Sequence, residues 1–295
     1  MSTFTHTNRT PLFIMAAGVS VAILAAWNIA NAGIQGSKHD LGSTGTSQYG
    51  ATAGTTEVCV FCHTPHGADT SAAVPLWNKA LPSAASYQTY ATLNTSTFDA
   101  TQGDIGSVSL ACLSCHDGAQ AMDSMINAPG SGGYNAAGAS AFSLAAMSGS
   151  PIPMLGTDLR NDHPISMAYA GGLKGGAVWP TPGAGATVTK TSTDFVDADF
   201  NTVTGKTING NPVWWVDTAG EGGVGGNAGA RDKTDMVLYT RASGTGTSGA
   251  TPFVECASCH DPHNAASFSN VNPKSVAFLR IKNTSSAVCL ACHNK

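Results

Sequence analysis

Every cysteine in the chain falls in a Cys-x-x-Cys-His unit, and the unit occurs four times: Cys59-Val-Phe-Cys62-His63, Cys112-Leu-Ser-Cys115-His116, Cys256-Ala-Ser-Cys259-His260 and Cys289-Leu-Ala-Cys292-His293. This spacing serves c-type haem attachment: the two thiols bond to the edge of the macrocycle and the histidine that follows becomes an axial iron ligand. Zinc knuckles and redox disulfides also use Cys-x-x-Cys pairs, but neither needs a histidine directly after the second cysteine. Four complete units with no cysteine left over predict four covalently attached haem c groups, each with one iron.

The second axial positions draw on a small pool. Of the 9 histidines, His63, His116, His260 and His293 are consumed as proximal ligands. His6 lies in what reads as a targeting segment, so His39, His66, His163 and His263 remain for four open positions. Bis-histidine ligation at every iron is the simplest account. Methionine is the competing sixth ligand, with several in the 122–167 stretch; a methionine there would raise the potential of its haem, although this flexible side chain commonly fills gaps.

Elements must then position these residues. The first motif pair lies within 33–118 and the second within 252–295, with a haem-free insertion over 119–251 that contains His163. Short helices are expected over 110–116 and 287–293, where each motif ends a small apolar turn. Within the insertion, Thr202 to Val216 alternates β-branched or aromatic residues around glycine turns, which predicts a small hairpin or meander. Trp214 and Trp215 in that stretch read more readily as core or interface than as electron relays. The run 220–229 reads as a loop. Periodic elements are otherwise scarce, so the expected fold is mostly irregular, with short helices at the motifs and a few short strands in the insertion. Haem attachments and axial bonds would tie distant loops together much as disulfides do.

Residues 1–32 read as a signal peptide: a short polar start ending at Arg9, an apolar run from Pro11 to Trp27, then Ala30-Asn31-Ala32 before a cleavage site at Gly33. The run is near the length at which an uncleaved anchor becomes possible; after cleavage no membrane span is expected. Only 11% of residues are charged and the formal net charge is −4, with no basic stripe to attract nucleic acid. That weakly charged surface suits an exported protein and offers little electrostatic resistance to packing copy against copy.

Two histidines follow a proximal ligand by three residues, in His63-Thr-Pro-His66 and His260-Asp-Pro-His263. The chain runs away from its own iron there, so His66 and His263 should each reach a neighbouring haem, with Pro65 and Pro262 stiffening the turn. His39 and His163 stand beside Asp40 and Asp162, which could orient their rings.

Cys59-Val-Phe-Cys-His-Thr-Pro-His-Gly, Asp158-Leu-Arg-Asn-Asp-His-Pro-Ile, Val254-Glu-Cys-Ala-Ser-Cys-His-Asp-Pro-His, Phe278-Leu-Arg-Ile and the C-terminal motif resemble the doubled-motif multihaem cytochromes of metal-reducing bacteria. The nearest type is the tetrahaem outer-membrane cytochrome E family, whose members polymerise into extracellular filaments. The resemblance covers roughly residues 36–118, 155–170 and 252–295, and leaves most of the insertion outside. It implies a conductive helical polymer in which one haem per subunit takes its distal histidine from the next. By this resemblance His66 ligates the fourth haem in trans, while His39 serves the first haem, His263 the second and His163 the third. Redox partners would then be outer-membrane cytochrome conduits and extracellular electron acceptors. Soluble periplasmic relatives share the motif, so a monomeric shuttle is the alternative. An enzyme is not expected: a multihaem reductase needs a five-coordinate iron, often with a lysine variant of the motif, and all four units here end in histidine.

Overall fold

The computed structural model describes residues 33–43, 45, 54–93, 100–130, 133–149, 153–218, 230–241, 251–263 and 278–294. The 1–32 segment and the loop expected over 220–229 lie outside these residues. Much of the described chain is coil and turn, with short helices at three motifs and strands concentrated in the insertion, as expected. Among the described residues no helix is long and apolar enough to cross a membrane.

The first helix, α1, runs from Ser107 to His116 and carries the second motif. It has no solvent face to speak of: Val108, Ser109, Leu110, Ala111, Leu113 and Ser114 are all buried. Serines survive in that setting because each hydroxyl has a partner, Ser114 Oγ on the Ala111 carbonyl at 2.7 Å and Ser109 Oγ on Glu255 at 2.5 Å. Helix α2 is the single turn Cys256–Cys259 of the third motif, and α3 is Ala287–Cys292 of the fourth.

Strands β1 (Ser124–Asn127) and β2 (Tyr134–Ser140) form a separate two-stranded ribbon. The main sheet is antiparallel and six-stranded among the described residues. Its strands are β3 (Met167–Ala168), β4 (Thr187–Lys190), β5 (Val203–Ile208), β6 (Asn211–Val216), β7 (Met236–Thr240) and β8 (Pro252–Val254), in the order β3-β8-β7-β6-β5-β4. The expected hairpin is its centre: Ile208 pairs with Asn211 across Asn209-Gly210, whose φ values of 49° and 80° fit the left-handed two-residue turn that matches strand twist.

Gly205 and Trp214 face each other across this hairpin. A Cβ at Gly205 would lie 2.7 Å from the Trp214 ring, so the missing side chain is the space that the indole fills. Trp214 and Trp215 point to opposite faces of one strand, and both are 0% exposed, which settles them as core. On the Trp214 face, Trp179, Phe195, Tyr169, Val203, Met236 and Leu238 form one cluster with Ile281 and Ala291. The C-terminal motif segment therefore shares its core with the insertion.

The sheet also delivers the site. β8 runs directly into the third motif, and its partner β3 begins four residues after His163. Gln102, just ahead of α1, bridges to Met167 on the same edge. A buried knot at this corner joins the second and third motifs: Glu255 accepts from Ser109 at 2.5 Å and from Ser166 at 3.1 Å, and pairs with Arg241. Cys256 N–H donates to Ser109 Oγ at 3.0 Å.

Candidate haem-binding site

All four motifs close the same local turn. The histidine N–H donates to the carbonyl of the first cysteine at 2.8 Å for His63, 3.1 Å for His260 and 2.9 Å for His293, while the second motif is the last turn of α1. One helical turn puts residues three apart on one face, so both thiols of a pair can address one macrocycle edge. All eight cysteines are unpaired.

Thiol neighbours give the order of the sites in space. Burial pushes the Cys62 thiol up to about 12, helped by Cys115 and opposed by Lys79. The Cys112 thiol is raised chiefly by its hydrogen bond with Cys256 and by burial. Cys259 is pushed up to about 11 and Cys292 to about 12, again by burial first, and each feels the other motif's thiols. The first motif thus adjoins the second, the second the third, and the third the fourth.

Each motif is held by its own surroundings. The segment 75–79 wraps the first: Pro75 O lies 2.7 Å from His63 Nδ1, Leu76 O accepts from Thr64 N, Trp77 meets the His63 ring edge-on at 6.2 Å, and Asn78 N donates to Cys62 O at 2.9 Å. His116 Nδ1 lies 2.7 Å from Pro153 O. The Arg280 guanidinium donates to Ala257 O and the Arg280 N–H to Cys259 O, fixing the third motif. The Asn201 amide caps α3 through Leu290 O and Ala291 O, and Phe200 packs on His293 at 4.3 Å. None of these holding residues carries a recognisable sequence signal except Phe278-Leu-Arg280-Ile, which the family resemblance had marked.

The ring contacts to prolyl carbonyls have a chemical consequence. A carbonyl only accepts, so Nδ1 of His63 and His116 carries the proton and Nε2 is left with its lone pair, the form that ligates a metal. The His39 ring bonds the backbone of Pro262 and that of His163 the backbone of Pro164, where only the carbonyl is available. Burial lowers His39 to about 4, with His116, His263 and His260 adding to the shift, and also lowers His116 and His163. These imidazoles are neutral near pH 7, as ligation requires.

Two ring pairs test whether a haem iron fits. Metal–imidazole bonds of about 2 Å on either side of one ion place the ring centroids about 6 Å apart. The centroids of His63 and His263 are 6.0 Å apart with planes inclined by 19°, and those of His39 and His116 are 6.1 Å apart at 72°. Both separations fit a shared iron. The pairing reverses the expected one, since His39 faces the second motif rather than the first, and His263 the first rather than the second. Long-range packing decides this: His39 stacks on Phe278 at 4.2 Å and is held by Pro262, so one turn sets His263 beside the first motif and holds His39 beside the second.

His163 stands in the field of both His293 and His260, in that order of strength. His66 is exposed, and among the described residues its carbonyl rather than its ring is engaged, by Thr64 Oγ1 at 3.0 Å and by Asn127 Nδ2.

Residues 251–295 match the family model described as the doubled CXXCH motif. The match spans the third and fourth motifs alone; the doubled motif indicates multihaem c-type cytochromes, a class that binds haem c covalently and transfers electrons. Compared with curated proteins, the chain has no match.

Proposed function

We propose that the chain is an exported tetrahaem electron conductor that polymerises into an extracellular filament, passing electrons from outer-membrane cytochrome conduits to extracellular acceptors. Haem c, when bound, supplies one-electron exchange at iron. The protein's part is to fill every axial position, so that no iron is open to substrate. The pairs His63–His263 and His39–His116, whose rings stand at an iron-spanning separation, would do so within one chain.

One observation carries the polymer reading: among the described residues the two remaining proximal rings, His260 and His293, both act on His163, while His66 stands exposed elsewhere. The His293 field on His163 is the stronger; by the family resemblance His163 serves the third site and His66 of an adjacent copy completes the fourth. The surroundings of His66 suit an interface. Leu76 is 54% exposed and Tyr134 64%. Tyr134 lies over Gly67, and Leu76 bonds Thr64 through its carbonyl. Leu76 also has a φ of 55°, a left-handed conformation that costs an L-residue about 1–2 kcal/mol. An exposed apolar rim built at such cost around an unused imidazole suits a second copy.

Electron microscopy of the secreted protein tests the reading, together with His66→Ala. Wild type should form uniform filaments of chains that each weigh in with four haems. His66→Ala should keep the four haems, lose the filaments and expose one high-spin iron per chain. Monodisperse wild-type monomers would favour the soluble shuttle, and normal filaments of the variant with all irons low-spin would remove His66 from the trans role.

A further inference from the structure

We propose that Phe278 is a positioning residue: it holds the His39 ring crosswise to His116 and so gives the second haem a ferric electronic structure unlike that of the first, although two imidazoles serve each iron. The inference rests on the reading above that these two ring pairs flank irons.

The two pairs have almost the same separation, 6.0 and 6.1 Å, and differ in the angle between ring planes, 19° for His63 and His263 against 72° for His39 and His116. An axial imidazole donates π electrons into the iron d orbital that lies across its plane. Two nearly parallel rings act on one such orbital and separate it from its partner. Two crossed rings act on both and leave them close in energy. The protein contacts that orient the rings therefore decide where the unpaired electron of low-spin ferric iron resides.

Phe278 fixes the angle at the second site. Its ring lies on the His39 ring with centroids 4.2 Å apart and planes inclined by 8°. The His39 ring also bonds the backbone of Pro262, but a hydrogen bond tolerates about 30° of misalignment. A ring lying flat on another at this distance cannot tilt that far without overlap. The stack, more than the hydrogen bond, sets the plane.

Phe278 is held in turn by the third motif. Its carbonyl accepts from the Asp261 N–H at 2.7 Å, Leu279 bridges to His260, and the Arg280 N–H donates to Cys259 O at 2.8 Å. The side chain is buried, and its φ of 53° lies in the left-handed region that a bulky residue rarely adopts. Such an outlier marks a side chain whose direction is over-determined by its surroundings. The third motif thus reaches the ligand plane of the second site through one aromatic ring.

Electron paramagnetic resonance of the oxidised, haem-loaded protein is the test. Wild type should give a rhombic low-spin signal lost in His263→Ala and a strongly anisotropic one lost in His39→Ala. Phe278→Leu keeps an apolar side chain but offers no flat face. It should shift the His39-dependent signal toward the rhombic form, lowering its largest g value, while the haem count and the low-spin ligation stay as they were. The His263-dependent signal should not move. Phe278→Tyr, which restores a flat ring, should return the wild-type signal.

The proposal is overturned if the His39-dependent signal of wild type is already rhombic, an outcome that needs no variant at 278 to fold, or if Phe278→Leu leaves that signal in place. It is equally overturned if Phe278→Leu abolishes the low-spin signal, because the side chain would then retain the ligand rather than orient it. Should no low-spin ferric signal depend on His39 in any form, the haem assignment at the second site fails instead.

Discussion

The first and the last motif are held by opposite means. Around Cys59–His63 the side-chain core is small: Leu41, Phe61 and Leu144 with Met122, Met125 and Met147. Methionine is an adaptable filler that specifies little by itself. Position there comes from hydrogen bonds of the 75–79 strap, with Asn78 and Lys79 both fully buried. Around Cys289–His293 the motif rests on the aromatic face of the six-stranded sheet, with Ala291 inside the Trp214 cluster and Val288 and Cys292 packed against it. A haem site can therefore be built on a core that exists beforehand, or from a strap whose enclosed volume the haem itself must fill.

Preventing haem attachment should split the two regions, the largest effect expected. In the haem-free chain, hydrogen exchange over 58–79 and 107–127 should approach that of unfolded chain. Strands β5 to β7 should keep their protection, because their pairing and the buried faces of Trp214 and Trp215 need no haem. Equal loss in both regions would break the comparison.

Trp214→Ala attacks the preformed core from the other side. The ring is fully buried, meets Trp179 edge-on at 5.1 Å and fills the space over Gly205, so truncation should cost about 3–5 kcal/mol. Denaturant melting read from exchange in β5 to β7 checks the size, and the 58–79 strap should be affected less than the sheet.

What the sequence revealed divides along similar lines. The four motifs, the two longer helical turns and the Asn209-Gly210 hairpin were legible because each is local, fixed by residues within a turn or two. The rest of the sheet was not. β3 pairs with β8 through residues as distant as Met167 and Val254, and short strands so far apart leave no periodic trace. The distal histidines show the same limit. That His263 turns away from its own motif could be read from one stiff turn, but that it stands beside His63 depends on how Phe278 and Pro262 bring His39 beside His116. The buried roles of Glu255 and Lys79 were equally invisible, because a charged residue reads as surface until its partners are placed.

The smallest effect expected sharpens the comparison most, since it concerns a single side chain of the strap. Asn78 has no exposure and uses its amide at both ends: Nδ2 donates to Val60 O at 2.7 Å and Asn127 O at 2.9 Å, and Oδ1 accepts from Asn127 N at 2.8 Å. One amide thereby ties the first motif to β1. Asn78→Ala removes the partners of two part-buried carbonyls and one part-buried N–H, and leaving polar groups unpaired away from water costs up to about 1–3 kcal/mol. That is less than the loss of Trp214, yet it falls on a region with little side-chain core to absorb it. In the haem-loaded protein the loss should appear as faster exchange at residues 60–64 and 125–127, with β5 to β7 unchanged. If the first region instead keeps its protection without Asn78, the bound haem and its axial bonds suffice to hold the motif, and the strap serves to shape the empty site before attachment.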